Sequence, residues 1–369
     1  MPSVEPYQTA SGRRWRARYR DPERRQREKG GFTRKIDAED YLAAVTVGIR
    51  RGEYIDPAEA RVTVAELGRE WLANQTHLKP SSLRPIESSW RVHVEPEWGR
   101  RRVSDIRHSE VQGWVTRLSA EKGATVVRRA HGVLTSVLEA AVRDRRIATN
   151  PARGVSLPRR APKRREYLSM GQVELLAREA GAQGALVMLL AYTGLRWGEA
   201  TALRVRDVDM LRRRVHVVEN AVRIGAVVHV GTPKSHRARS VPFPSFLVDA
   251  IAAECIGKSR DRLVFGDGVT HVRATYGERG WFAAAVRASQ AGDADFPRLT
   301  LHDLRHTAAS LAISAGANVK AVQAMLGHAS ATMTLDVYAD LFDDDLEAVA
   351  VALDRLRAAN VAREAREIV

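Results

Sequence analysis

A stretch of fifteen residues, 151–165, constrains this sequence more than any other feature. It contains three prolines, Pro151, Pro158 and Pro162, and six basic residues with no acidic one. Proline fixes φ and lacks the amide proton that a helix needs, so the stretch predicts an extended connector. A chain of 369 residues can bury two or three cores. We therefore expect separately folded regions before and after this stretch.

The charge of the chain restricts the kind of partner it binds. The sequence has 59 Lys and Arg against 44 Asp and Glu, a net charge of +15, which favours a polyanion over an acidic metabolite. The single cysteine, Cys255, allows neither an internal disulfide nor a thiolate zinc site, which favours a reducing compartment. The longest apolar run, 184–195, is too short to span a membrane, and no secretion signal is present. We expect a soluble intracellular protein.

Residues 1–61 have the pattern of three short strands followed by one helix. Turn sequences separate the strands, and apolar residues recur on one face of the helix. Arg14, Arg16 and Arg18 alternate along the second strand, which puts three guanidinium groups on one face. Such a strand pair could enter a DNA major groove. An arginine-rich face that only contacts solvent is the alternative.

Residues 62–150 have helical periodicity in each of their apolar runs. The spacing predicts a small domain of four or five helices. A helical bundle without a ligand is the alternative. The connector 151–165 then joins this domain to residues 166–369, and its Arg159, Arg160, Lys163 and Arg164 could follow a phosphate backbone. A connector that is merely solvated is again the alternative.

The last region, 166–369, places polar residues at the ends of predicted elements. Arg196 and Glu199 are three residues apart at the start of a helix, so the carboxylate can hold the guanidinium. Alternating residue types predict strands at 214–220 and 226–231. A turn at 232–236 and a third strand at 240–243 follow, which predicts a hairpin with Lys234 at its tip. His302 and Arg305 lie near the start of another helix, where the helix dipole favours an anion.

Two short helices complete this part of the chain. Asn318 is a helix cap, and the helix it starts ends at Gly327. His328 follows directly. Ser330 caps the next helix, which ends near Tyr338.

Each of these residues has an ordinary alternative when taken alone. His302 and His306, four residues apart, could bind zinc, but the sequence supplies no acidic third ligand nearby. Arg196 could be a structural partner of Glu199, His328 an ordinary residue at a helix end, and Tyr338 a core residue. Agreement of all the positions in order argues against these alternatives.

The sequence resembles the tyrosine recombinase family, in its actinobacterial phage or prophage integrase form. The matching strings are Thr-Gly-Leu-Arg-Trp-Gly-Glu at 193–199, Thr-Pro-Lys-Ser at 232–235, His-Asp-Leu-Arg-His at 302–306, Leu-Gly-His at 326–328 and Leu-Asp-Val-Tyr at 335–338. The resemblance implies a catalytic set with Glu199 in support and with no metal or cofactor. That set is Arg196, Lys234, His302, Arg305, His328 and Tyr338.

The resemblance also implies the fold and the function. The fold is a multidomain, mainly α protein with α+β parts: an arm-type DNA-binding domain (1–61), a helical core-binding domain (62–150), the basic linker (151–165) and a mixed α/β catalytic domain with a C-terminal helix (166–369). The function is site-specific recombination of phage or other mobile DNA in the bacterial cytoplasm, associated with the nucleoid. The implied partners are duplex attachment sites, a homotetramer on synapsed DNA, a host DNA-bending protein and an excision directionality factor. The alternatives are a Xer-like resolvase and a non-catalytic DNA-binding protein of the same fold.

Physical chemistry assigns a role to each residue of the implied set. Two arginines suit the charge that develops on the non-bridging oxygens of an attacked phosphodiester. Tyr338 can attack only if its proton is taken, and His302 is expected to be the nearest base. Lys234 could protonate the leaving 5′ oxygen, and His328 would donate a hydrogen bond to the phosphate. The resemblance further implies that the apolar stripe of the C-terminal helix docks on a neighbouring protomer; the stripe is Leu346, Val349, Leu353 and Leu356.

Overall fold

A computed structural model describes residues 2–52, 54–56, 59–160, 166–233, 238–274, 277, 279–341, 350–351 and 353–358. Contacts divide the chain into two units, Met1–Pro162 and Lys163–Val369, and this division falls inside the proline-rich stretch. Within the described ranges, no helix has the length and apolar character that crossing a membrane requires.

The first unit begins with a three-stranded antiparallel sheet in the order β1-β2-β3, covered by helix α1. Ala17 and Tyr19 of the middle strand are buried, and the Tyr19 ring packs against Tyr41 of the helix. The prediction of three strands and one helix is confirmed. The elements are β1 (Ser3–Thr9), β2 (Gly12–Arg20), β3 (Gln26–Phe32) and α1 (Lys35–Arg51).

The rest of the first unit is a helical bundle around an apolar core. A π-helical turn, Trp90–Val94, joins two of the helices, and its Trp90 leaves no room for a side chain at position 68. Trp98 and Trp114 pack edge to face, 5.8 Å between ring centres. Residues 59–160, all of them described, contain five α-helices, in agreement with the four or five that the periodicity predicts. They are α2 (Val64–Ala73), α3 (Pro80–Ser89), α4 (Glu95–Trp98), α5 (His108–Glu121) and α6 (Ala124–Arg143).

The second unit is built around an apolar helix that is buried along most of its length. This helix, α8 (Gly184–Thr193), packs against α7 (Met170–Glu179) and α12 (Asp303–Ser314), and its buried leucines belong to the core. The helices of this unit are α7 (Met170–Glu179), α8 (Gly184–Thr193), α9 (Trp197–Ala202), α10 (Val248–Cys255), α11 (Trp281–Gly292), α12 (Asp303–Ser314), α13 (Val319–Leu326) and α14 (Ala331–Tyr338).

Among the described residues of the second unit, five short strands form two small sheets. The first has the antiparallel order β4-β5-β8, and the second pairs β6 with β7. The strands are β4 (Val208–Asp209), β5 (Arg214–Val217), β6 (Asn220–Ile224), β7 (Val227–Gly231) and β8 (Arg239–Pro242).

This topology corrects two predictions about the strands. The single strand expected at 214–220 ends at Val217 as β5, and Asn220 already begins β6 in the other sheet. The chain leaves β5 at Val218 although the alternation of residue types continues. The hairpin expected around Lys234 is also wrong in its pairing, since β7 pairs with β6 and β8 pairs with β5 in the described residues. Lys234 itself lies outside the described residues.

Candidate active site

Arg196 lies in the break between α8 and α9. Helix α8 ends at Gly194, which has a φ of 62° and where a Cβ would meet the Leu326 side chain at 2.5 Å. Arg196 is the N-cap of α9, and both its backbone N–H and its Nη1 donate to Glu199, each at 2.9 Å. The two residues therefore form a cap rather than sharing a helix face, because Arg196 has extended backbone angles.

Glu199 also holds a second arginine, Arg239, which begins β8. The Arg239 Nη1 and Nη2 atoms donate to the two carboxylate oxygens at 3.0 and 2.6 Å. The Glu199 side chain is 0% exposed and that of Arg239 is 11% exposed. Burial by itself raises the pKa of Glu199, but the hydrogen bonds and charges of Arg239 and Arg196 outweigh it and place the pKa below its ordinary value. Glu199 is therefore an ionised clamp between two arginines.

The sequence interpretation missed Arg239, although a signal for it exists. On β8, Arg239 is in phase with Val241, which is fully buried. Side chains two residues apart on a strand share a face, so an arginine at this position has to face the interior and find an acceptor there.

Arg305, near the start of α12, is buried and joins the ends of two helices. Its Nη1 donates to the carbonyl of Gly194 at 2.5 Å, and its Nη2 donates to the carbonyl of Leu326 at 2.7 Å. These carbonyls end α8 and α13, where the helix dipole favours a cation. Burial, and next the positive charge of Arg196, lowers the pKa of Arg305 to about 9. The guanidinium is thus still cationic at pH 7, and its charge is poorly compensated.

His328 follows the left-handed glycine that ends α13. Its Nδ1 lies 2.9 Å from the Thr334 hydroxyl, and its backbone N–H donates to the carbonyl of Gln323 at 3.1 Å. Burial, then the charges of Arg305 and Arg196, lowers the pKa of His328 to about 4. The imidazole is therefore neutral at pH 7, and Thr334 fixes its orientation.

Tyr338 ends α14 and is 1% exposed. Its hydroxyl is 2.7 Å from Nδ1 of His306. The sequence interpretation gave this place to His302, but the structure puts His306 there, one helical turn further along α12. The two imidazole rings lie 5.1 Å apart, edge to face. His302 and His306 are four residues apart, about one helical turn, so their side chains lie on the same face. The spacing alone therefore does not show which of the two contacts Tyr338.

The structure thus brings four of the six expected residues, Arg196, Arg305, His328 and Tyr338, into one cluster. The charges of Arg196 and Tyr338 act on Arg305, and those of Arg305 and Arg196 act on His328. His302 reaches the cluster through its contact with His306. Glu199, Arg239 and His306 belong to the same cluster, and Lys234 lies outside the described residues.

The other expected DNA-binding residues have different surroundings. In the first unit, Arg16 and Arg18 both contact Glu5 and Glu28, so their charges are partly compensated. Arg14 lies opposite Tyr7 in the sheet register. Of the connector residues, Arg159 and Arg160 are exposed, whereas Lys163 and Arg164 lie outside the described residues.

The zinc alternative finds no support in the geometry of the part of the chain that the structure describes. There, no three His, Cys, Asp or Glu side chains lie close enough together to hold a metal ion. The surplus of arginine in the cluster instead suits an anion.

Comparisons with known proteins agree with this arrangement. A model of the phage integrase family matches residues 172–344, and a model of the phage integrase central domain matches residues 64–156. The integrase of Mycobacterium phage L5 is 29% identical over 340 residues, covering 88% of this chain and 90% of that protein. The chain is a tyrosine recombinase of the phage integrase type.

Solved structures extend the likeness to the fold of this recombinase. The Tn1549 transposon integrase in complex with transposon right end DNA has a TM-score of 0.67 at 22% identity, covering 78% of this chain and all of that one. A λ integrase dimer bound to a core site has a TM-score of 0.59 at 17% identity, covering 90% and 93%. The multidomain α and α+β fold class is therefore confirmed. The family match 172–344 includes every residue of the cluster, from Arg196 to Tyr338.

Proposed function

We propose that this recombinase cuts and rejoins DNA through a 3′-phosphotyrosine at Tyr338, and that it thereby integrates a phage or other mobile genome. One observation carries the proposal: Arg305 is buried within reach of the positive charge of Arg196, and its two guanidinium Nη atoms donate to neutral backbone carbonyls. Such a site gains stability when an anion enters it. The hydroxyl of Tyr338 lies at the same cluster, which makes a phosphodiester the fitting anion.

The chemistry follows from where these groups lie. As the Tyr338 oxygen bonds to phosphorus, negative charge develops on the non-bridging oxygens, and the two arginines stabilise it with fixed donors. A single arginine directed at a phosphoryl transition state is worth about 10³–10⁵ in rate. The neutral His328 can donate a further hydrogen bond from Nε2. The P–O5′ bond then breaks, and we assign protonation of the 5′ oxygen to Lys234.

The other domains supply DNA affinity in this proposal. Residues 62–150 would bind the core site, and 1–61 would bind arm sites with Arg14, Arg16 and Arg18. Phosphates compete with Glu5 and Glu28 for the latter two arginines, so Arg14 should make the larger contribution at the arm. The linker residues Arg159, Arg160, Lys163 and Arg164 would contact the phosphate backbone.

Recombination requires assembly on DNA. Several solved structures with this fold contain DNA, and one is a λ integrase tetramer bound to a Holliday junction. We propose the same tetrameric synapsis here, with a host DNA-bending protein and an excision directionality factor as partners. Leu353 and Leu356, each 60% exposed, are the described part of the C-terminal apolar stripe that would dock on a neighbouring protomer.

A nicked suicide duplex of the core site tests the proposed chemistry. After cleavage the short fragment with the free 5′ hydroxyl diffuses away, which prevents rejoining. The wild-type chain should therefore remain bound to the DNA as an SDS-stable adduct, and Tyr338→Phe should form no adduct. Arg305→Ala should abolish the adduct and keep most of the DNA affinity, since many phosphate contacts remain. DNA binding with no adduct under any condition would identify a non-catalytic DNA-binding protein and refute the proposal.

A further inference from the structure

The hydroxyl of Tyr338 is buried, which restricts where its proton can go. The residue is 1% exposed, so bulk water cannot take the proton while the tyrosine lies in this position. The acceptor has to be a group in contact with the hydroxyl. His306 Nδ1 is in contact with it, at 2.7 Å, a normal distance for a hydrogen bond between a hydroxyl and a neutral imidazole nitrogen.

The surroundings of His306 fit a proton acceptor. On its own helix, α12, His302 packs edge to face against its ring, and Arg305 is the preceding residue. From the loop after α13, His328 is close enough for the two imidazoles to interact electrostatically. From α14 comes Tyr338. The positive charge of Arg305 disfavours a second cation on the neighbouring His306 in the free protein, and a bound phosphodiester would offset that charge. Proton transfer would then be favoured when DNA is in place.

We propose that His306 is a catalytic residue of this recombinase, the general base that accepts the proton of Tyr338. In the step, the O–H bond of Tyr338 breaks and its proton moves to Nδ1 of His306. The phenolic oxygen bonds to phosphorus, the P–O5′ bond breaks, and the 5′ oxygen leaves as a hydroxyl with the proton that the proposed function assigns to Lys234. On rejoining, His306 returns the proton to the tyrosine as the phosphotyrosine bond breaks. This inference rests on the proposed function, and it assigns to His306 the task that the sequence interpretation assigned to His302.

The same hydrogen bond could instead be a latch that keeps the tyrosine away from DNA, or it could only orient the hydroxyl. These roles differ in sign and in pH dependence. Loss of a latch would increase the rate of adduct formation. Loss of an orienting bond would be repaired by glutamine, which can hydrogen-bond but cannot accept a proton. Loss of a base would lower the rate in a way that glutamine cannot repair and high pH can.

The experiment measures single-turnover adduct formation on the suicide duplex between pH 6 and pH 9.5 for wild type, His306→Ala and His306→Gln. His216→Ala, an exposed histidine on β5, is the matched control. We expect both His306 variants to lose about 10²–10⁴-fold in rate near pH 7 while core-site affinity stays within twofold. The deficit should shrink as the pH approaches the phenol pKa of ~10.

The outcomes separate this inference from the function it rests on. If wild type forms no adduct, both are wrong. If wild type forms the Tyr338 adduct and His306→Gln reacts at the wild-type rate, the function stands and the base assignment is wrong. A rate increase in either variant would identify a latch and also overturn the assignment. A rate deficit that is the same at every pH would also overturn the assignment of His306 as the base. If His306→Ala does not fold, His306→Gln alone still tests this assignment.

Discussion

The pair of Glu199 and Arg239 offers a sharp test of how the active site is held together. The substitution Arg239→Met removes two charge-assisted hydrogen bonds, of 3.0 and 2.6 Å, from a carboxylate whose side chain is 0% exposed. Breaking a buried ion pair from one side costs about 3–5 kcal/mol, because the remaining charge is left without compensation. Arg196 still bonds Glu199, so we expect a loss near the lower end, about 3 kcal/mol.

A surface pair provides the matched control for this substitution. Arg206 forms an ion pair with Asp261 in which the side chains are 42% and 74% exposed. Exposed pairs contribute about 0–1 kcal/mol, so Arg206→Met should cost little. A double variant, Arg239→Met with Glu199→Gln, removes the stranded charge and should recover at least about 1 kcal/mol relative to Arg239→Met alone.

Hydrogen exchange with mass spectrometry is the suitable assay, because a chain of two units need not unfold in one step. It reports the opening free energy of α9 and β8 separately from the helices of the first unit. Adduct formation should fall in parallel, since Arg196 loses its orientation with Glu199. Arg239→Lys should be intermediate, because an ammonium group cannot reproduce the two parallel hydrogen bonds. If Arg239→Met and Arg206→Met lowered the opening free energy of α9 and β8 equally, the buried pair would not hold the active site together.

Three further predictions concern other positions. Gly68→Ala should destabilise the first unit by about 1–3 kcal/mol or more, since a Cβ would lie 2.0 Å from the Trp90 ring; an unchanged calorimetric midpoint would contradict this. Gly327→Ala should cost about 1–2 kcal/mol for its left-handed conformation and slow adduct formation by displacing Arg239, 2.9 Å from the new Cβ; unchanged kinetics would argue against that contact. The pKa of His328 falls to about 4 from 6.5, so only the unfolded chain binds a proton between these values and stability should decrease as pH falls from 6.5 to 4. His328→Gln should therefore reduce the slope of the unfolding free energy against pH, measured by urea unfolding. The reduction should be less than about 1.4 kcal/mol per pH unit, because the ring is partly exposed; identical slopes for the two proteins would exclude this.

Local signals in the sequence predict much of the second unit. Asn318 caps α13 through a bond from the Ala321 N–H, Gly327 ends the helix with a φ of 64°, and Ser330 caps α14. In each case the residue that determines the structure lies within three residues of the group it satisfies. The same holds for the cap that Arg196 forms with Glu199.

The parts that could not be predicted depend on contacts distant in the sequence. Arg239 lies 40 residues from Glu199, and no local pattern in either segment indicates the other. The strand pairing fails for the same reason: alternation predicts that residues 214–220 and 226–231 are extended, but it does not show which strands pair. His306 could be seen in the string at 302–306, yet only the position of Tyr338 against α12 decides which histidine meets the tyrosine.

The cluster is built from the ends of elements, and this placement has an energetic reason. Arg196 begins α9, Arg305 binds the carbonyls that end α8 and α13, His328 follows α13, and Tyr338 ends α14. Helix ends supply oriented backbone groups, so a cation can be held there without a carboxylate that would later compete with phosphate for it. Glu199 is kept out of this competition because its oxygens are already occupied by Arg196 and by the two donors of Arg239. The fold thus tolerates a poorly compensated charge at Arg305 in the free protein, and DNA that supplies an anion should stabilise the second unit as it binds.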